Sequence, residues 1–388
     1  MSTPDGHTRG VSVRSIATAV PPTVLEQDRV RDLFASQADV TRAARRLIGA
    51  VFDASAIERR HTVMSDFAGT TSAAADFYDA NSQTILTPST GTRNAVYTRE
   101  VQPLLTRAAA NAIDQAPGLD RSDITHVVTV SCTGFFAPGP DYVLVRDLGL
   151  HPSTRRLHIG FMGCYGAFPA LRAAVSTCVA EPNAVVLIVC VELCTLHVRS
   201  ANDPDTIVAS SVFADGAAAA VVSARTAPAG STVLDIDAQE TALTDGGEAD
   251  MAWTIGDLGF EMVLSRYVPR IIEDQIVDAL LPLVGRLPQS AAPAWSDIER
   301  WAVHPGGRAI LDRVQHALAL TDEQMAPSRA VLRDYGNMSS ATVLFILRQH
   351  LEVDGRTAGV PSGPERVAAM AFGPGLTVES ALFTRRVV

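Results

Sequence analysis

Lysine is absent from this chain: all 32 basic residues among its 388 are arginine. Schiff-base chemistry through a lysine amine is therefore closed to it, and an anionic ligand has to be held by guanidinium forks, helix N-termini or backbone N–H groups. Long hydrophobic runs are missing too. No stretch reaches the roughly 18 apolar residues of a membrane helix, and the polar start Met1–Gly10 has no signal-peptide core, so a cytoplasmic protein is expected. Basic blocks and acidic tails are lacking, and the net charge is −10, which argues against nucleic acid or an anionic membrane surface as partner. What the chain does have is apolar material, 47% hydrophobic against 19% charged, enough for one large core or two fused medium ones. Its five cysteines (Cys132, Cys164, Cys178, Cys190, Cys194) are odd in number, which speaks against a disulfide framework. Cys190 and Cys194 lie on an apolar run with no second Cys/His pair at zinc spacing; they read as core, and no metal is expected.

Short runs rich in Val, Ile and Ala read as strands: 124–130, 184–191, 217–222, 298–303 and 366–371. Segments with helical spacing separate them, at 94–115, 165–180, 270–281, 308–318 and 339–350. Continuous apolar strands between helices predict an α/β fold whose sheet is covered on both faces. A weak internal repeat divides the chain into halves, 1–230 and 231–388, near the segment Thr226–Gly230. Gly163-Cys164-Tyr-Gly-Ala resembles Gly336-Asn337-Met-Ser-Ser, each followed by a helix; Phe213-Ala-Asp-Gly and Phe372-Gly-Pro-Gly each feed a strand. Two such halves would put Cys164 and Asn337 at equivalent helix starts facing one cleft.

Cys164 stands just ahead of a helical run, where free backbone N–H groups stabilise a thiolate; a buried core cysteine is the plainer alternative. His304, in Trp301-Ala-Val-His-Pro-Gly-Gly, ends an apolar strand, the place where α/β proteins expose reactive groups, although a core or capping histidine fits equally. Asn337 taken alone reads as a turn or cap residue. As a set the three have distinct tasks. His304 can pair with a Cys164 thiolate, and the Asn337 amide and the imidazole can donate to a developing enolate oxygen, which favours carbon–carbon bond formation over hydrolysis. The local signature of a papain-like protease is absent.

Trp301-Ala-Val-His-Pro-Gly-Gly, Tyr335-Gly-Asn-Met-Ser-Ser-Ala and Phe372-Gly-Pro-Gly-Leu-Thr-Val-Glu resemble signatures of the chalcone-synthase-like type III polyketide synthases. Ser131-Cys-Thr-Gly-Phe-Phe-Ala-Pro-Gly-Pro-Asp-Tyr and Phe213-Ala-Asp-Gly fall in the expected order, so the resemblance spans nearly the whole chain. It implies a thiolase fold of duplicated αβαβα halves in five layers, a homodimer, and no metal or prosthetic group, with acyl-CoA and malonyl-CoA as substrates and no acyl carrier protein. Cys164 would carry the acyl chain, while His304 and Asn337 would promote malonyl-CoA decarboxylation. The motif match also puts Phe213, Met262, Cys132, Trp253, Ser339, Gly307 and Ala309 at the substrate pocket. Met262 stands where plant members carry a gatekeeper Phe, Trp253 where a glycine is usual, and Cys132 in place of a threonine. Flexible Met262 would open a path for an aliphatic chain. Gly-Cys-Tyr-Gly-Ala is similar to bacterial members making alkylpyrones or alkylresorcinols. Arg59 and Arg60 occupy the family's basic run at the CoA phosphates, but the basic residues that plant members place ahead of it do not line up one for one; Arg42, Arg45 and Arg46 lie upstream, and a solvated helix face is the favoured explanation for them. The nearest alternative is a β-ketoacyl carrier-protein synthase of the initiating type, and a non-catalytic thiolase-fold partner is the alternative from another class.

Overall fold

The computed structural model describes residues 10–68, 76–287, 294–352 and 363–388, so most of the polar start lies outside the described residues. The principal strands are β1 (Ser12–Ala19), β2 (His126–Ser131), β3 (Arg155–Gly160), β4 (Val185–Leu193), β5 (Asp215–Ser223), β6 (Thr232–Leu243), β7 (Met251–Gly256), β8 (Gly259–Leu264), β9 (Arg300–Val303), β10 (Glu365–Gly373) and β11 (Thr377–Val387). The helices used below are α1 (Arg42–Ala54), α2 (Thr90–Asp114), α3 (Ala167–Ala180), α4 (Pro204–Val212), α5 (Val268–Val284), α6 (Arg308–Leu318), α7 (Asp322–Tyr335) and α8 (Thr342–Leu351).

Nine strands join in the order β9-β10-β11-β6-β1-β5-β4-β2-β3, and β7 and β8 form a separate hairpin. The order folds onto itself about the β1–β6 junction. β2 runs parallel to β4, which is antiparallel to β5; likewise β9 runs parallel to β10, which is antiparallel to β11. Side-chain alternation then creates the layers. Val186, Ile188 and Cys190 of β4 enter a central core with α3 and α8, whereas Val185, Leu187, Val189 and Val191 face the core under α2. In the other half, Val367, Ala369 and Ala371 of β10 face the same central core, and Ala368, Met370 and Phe372 face the one under α5 and α6. Helices α3 and α8 are thus sandwiched between two sheet regions with helices outside, the thiolase-like five-layer arrangement. Both central helices are apolar nearly all round, as that position demands.

Candidate active site

The two central helices begin alike. A 3₁₀ turn, Gly163–Tyr165, leads into α3 and carries Cys164; another, Ser339–Ala341, leads into α8 just after Asn337. Both residues follow a glycine in the left-handed region, Gly163 at φ +74° and Gly336 at φ +70°. A side chain at Gly163 would stand 2.5 Å from Pro374 Cδ, so both conformation and space require glycine there. His304 follows β9, its N–H donating to the Met370 carbonyl at 2.9 Å. The thiol Sγ of Cys164 lies 3.9 Å from Asn337 Oδ1 and 4.0 Å from Nδ2. The Asn337 amide is oriented from behind: Oδ1 accepts from the Ser339 N–H at 2.8 Å, and Nδ2 donates to the Gly306 carbonyl at 3.4 Å.

His304 is fully buried on the wall of the same cavity, and neither ring nitrogen has a partner among the described residues. Burial pushes the Cys164 thiol up to about 11 and the His304 imidazole down to about 3. Burial therefore favours the neutral form of each group taken alone, opposing the charge that a helix start favours at the thiol, and no hydrogen bond links the two side chains. A neutral imidazole with free nitrogens is a base, and moving the thiol proton to it creates both charges together, each compensating the other.

The cavity is walled mainly by apolar side chains. Phe213, Met262, Cys132, Trp253 and Ser339 all line it, as expected. Gly307 and Ala309 do not. Their neighbours Gly306 and Ile310 do; Ile310 and Ala309 diverge because successive helical residues point about 100° apart, and Ala309 instead lines a surface groove with Glu273, Asp312, Arg313 and His316. The β7–β8 hairpin forms one wall, with Trp253 directly opposite Met262 and its Nε1–H donating to the Cys132 carbonyl at 3.0 Å. Cys190 and Cys194 are both core, as read from the sequence, and Cys194 also reaches the cavity wall, because the chain leaves the strand at Leu193.

Two buried residues behind the cavity wall escaped the sequence reading. Glu192, fully buried, accepts from the Cys132 N–H at 2.9 Å, the Thr133 hydroxyl at 3.0 Å and the Ser340 hydroxyl, and burial pushes it up to about 7. Its signal was available: it is the single charged residue in a strand buried on both faces. His197 binds the Thr133 carbonyl through Nε2 at 2.8 Å and accepts from the Phe260 N–H at Nδ1 at 2.9 Å, which fixes the tautomer. Its ring stacks on Phe260 at 4.2 Å. The arginine expectations divide. Arg60 is 1% exposed and bound to main-chain carbonyls, so it is withdrawn from any grip on CoA phosphates. Arg59 is exposed and pairs with Asp334 at 3.3 Å; Arg42, Arg45 and Arg46 are exposed on α1.

Residues 6–226 match the N-terminal domain of chalcone and stilbene synthases, and residues 235–387 match their C-terminal domain. The chain belongs to that family. It is 33% identical over 378 residues to bisdemethoxycurcumin synthase of Oryza sativa subsp. japonica, covering 96% of this chain and 91% of that protein. Solved type III polyketide synthases share its fold. PKS-I from the brown alga Ectocarpus siliculosus superposes with a TM-score of 0.84 at 29% identity, covering 99% and 100% of the two chains. The 1,3,6,8-tetrahydroxynaphthalene synthase of Streptomyces coelicolor A3(2) gives 0.81 at 28% identity, covering 97% and 100%. This chain is accordingly an enzyme of the type III polyketide synthase family, condensing acyl-CoA and malonyl-CoA. The family match displaces the carrier-protein synthase and the non-catalytic partner. No described helix is long and apolar enough to cross a membrane.

Proposed function

We propose that this enzyme loads an aliphatic acyl group from its CoA thioester onto Cys164, extends it with malonyl-CoA, and cyclises the product to an alkylpyrone or a phenolic, resorcinol-type ring. The observation that carries this reading is the meeting of Cys164, Asn337 and His304 on one apolar cavity. In loading, the Cys164 thiol gives its proton to His304; the sulfur attacks the acyl-CoA carbonyl, its bond to CoA breaks, and the departing CoA thiolate takes the proton. In extension, malonyl-CoA loses CO2, and the electron pair left on carbon becomes an enolate whose oxygen accepts from the Asn337 Nδ2–H and from His304. The enolate carbon attacks the Cys164 thioester; a carbon–carbon bond forms, the carbon–sulfur bond breaks, and Cys164 is free for the next transfer.

The half 1–230 supplies the nucleophile and the half 231–388 supplies His304 and Asn337. The reading includes a cytoplasmic homodimer that needs neither metal nor carrier protein. For the starter, the support is the lining. Met251, Met262, Leu264, Ile310 and Phe372 offer adaptable apolar surface, and among the described residues no arginine lines the cavity to pair with a carboxylate on the acyl part. The test is incubation with hexanoyl-, decanoyl-, palmitoyl- and benzoyl-CoA, each with malonyl-CoA, followed by mass analysis. Straight-chain starters are expected to give extended, cyclised products. Extension of the benzoyl starter alone would overturn the aliphatic reading.

A further inference from the structure

Arg60 is a buried charge beside the site that the proposed catalytic steps do not use. It sits on the short strand Arg59–Thr62, 1% exposed, and no carboxylate lies within ion-pair distance among the described residues. Its Nη1 donates to two carbonyls, Ser210 at 2.8 Å and Phe213 at 2.7 Å, while Nε and Nη2 have no partner among the described residues. Burying a guanidinium so sparingly paired is costly. The two carbonyls bracket the last turn of α4 and the cavity-lining Phe213.

The other flank of the Arg60 stem touches the Asn337 loop. A Cβ on Gly336 would fall 2.8 Å from Arg60 Cγ and 2.9 Å from the Val212 carbonyl, so the loop passes at the closest distance a backbone allows. Asn337 is then tied to both neighbours of Phe213: its N–H donates to the Val212 carbonyl at 2.8 Å, and its carbonyl accepts from the Ala214 N–H at 2.9 Å. The Phe52 ring, 5.9 Å from Cζ, closes the guanidinium's remaining side. Phe213 and Asn337 therefore cannot shift independently, and one side chain packs against the chain of both.

We propose that Arg60 is a positioning residue, which by holding the Ser210 and Phe213 carbonyls fixes the Phe213–Asn337 bridge and so aims the Asn337 amide at the reacting carbonyl. The proposal rests on the role given to Asn337 above. Both bonds leave from the one nitrogen Nη1, so a lysine ammonium reaching that point can replace them in part but lacks the planar guanidinium that lies by the Phe52 ring. Arg60→Met is the informative substitution, with Arg60→Lys as the conservative partner. In Arg60→Met, acylation of Cys164 read by intact mass should stay within about threefold of wild type. The kcat for malonyl-CoA decarboxylation should fall about 10- to 100-fold with little change in KM, the scale of a small misplacement of a reacting group. Arg60→Lys should recover part of that loss. Hydrogen exchange supplies a readout apart from turnover: the amides of Ala214 and Asn337 should exchange faster in Arg60→Met, while those of β4 stay protected. Unchanged decarboxylation with unchanged exchange overturns the proposal. So does an equal loss of loading and decarboxylation with faster exchange in β4, which would make Arg60 a general stabiliser. Should Arg60→Met not fold, the same comparisons are read on Arg60→Lys. A wild type that never acylates Cys164 refutes the proposed function instead, and exchange at Ala214 and Asn337 still judges Arg60.

Discussion

Asn337→Ala separates the two steps of the reaction. The alanine keeps the main-chain bonds to Val212 and Ala214, so the loop should hold its course. Besides the long contacts to Cys164 Sγ at 3.9 and 4.0 Å, two side-chain interactions go: the acceptor for the Ser339 N–H at 2.8 Å, and the Nδ2 donor, whose bond to the Gly306 carbonyl is long at 3.4 Å. The first loss should lower stability by about 1 kcal/mol, the typical net value of a neutral hydrogen bond. The second removes a preorganised donor aimed at developing enolate charge, which typically slows the step about 10²- to 10³-fold, or about 2.7 to 4 kcal/mol. Starter loading needs only the thiol and a base, so acylation of Cys164 should stay near wild type. The assay follows CO2 release from malonyl-CoA alongside the mass increment of the intact protein after brief exposure to acyl-CoA. An intact chain that loses acylation as fully as it loses CO2 release would show that the amide acts on Cys164 rather than on the enolate, and the oxyanion role would fall.

Three further outcomes are expected. Cys164→Ala should abolish condensation and leave some malonyl-CoA decarboxylation, measured as CO2 without extended product; full product formation would remove the nucleophile assignment. Met262→Phe should shorten the accepted starters, because a stiff ring would face Trp253 across the hairpin; an unchanged starter profile in competition assays would refute Met262 as a length filter. His350→Gln should flatten the acid side of the stability profile. Burial lowers His350 from 6.5 to about 4, so the unfolded chain binds the extra proton between those values. Its contribution is complete above the unfolded value and is lost as pH falls towards 4, about 2 kcal/mol between roughly pH 7 and 5. Denaturant unfolding at those two pH values reads the difference, and an undiminished slope in His350→Gln would exclude His350 as a source.

What was legible in the sequence followed from periodicity and repetition. The run around Val185–Leu193 reads as a strand buried on both faces, and its alternate residues do enter two different cores. The likeness of Gly163-Cys164 to Gly336-Asn337 reports a real equivalence, since both glycines adopt the same positive φ ahead of a 3₁₀ turn and a central helix. Charge was harder to read, because its meaning depends on burial that pattern alone does not give. Arg59 and Arg60 are neighbours in a basic run, yet strand alternation turns one to solvent and the other into the interior. Helix-start logic weighed a terminal dipole at Cys164 and not the opposing effect of the wall of Phe213, Trp253, Met262 and Phe372, whose burial of the thiol works against charge. That same wall has a catalytic consequence. A thiol that burial pushes towards its neutral form becomes a nucleophile when His304 takes its proton. The residues that keep the site dry thereby make Cys164 depend on His304, and Asn337 can be assayed apart from both because its own task begins only after the thioester has formed.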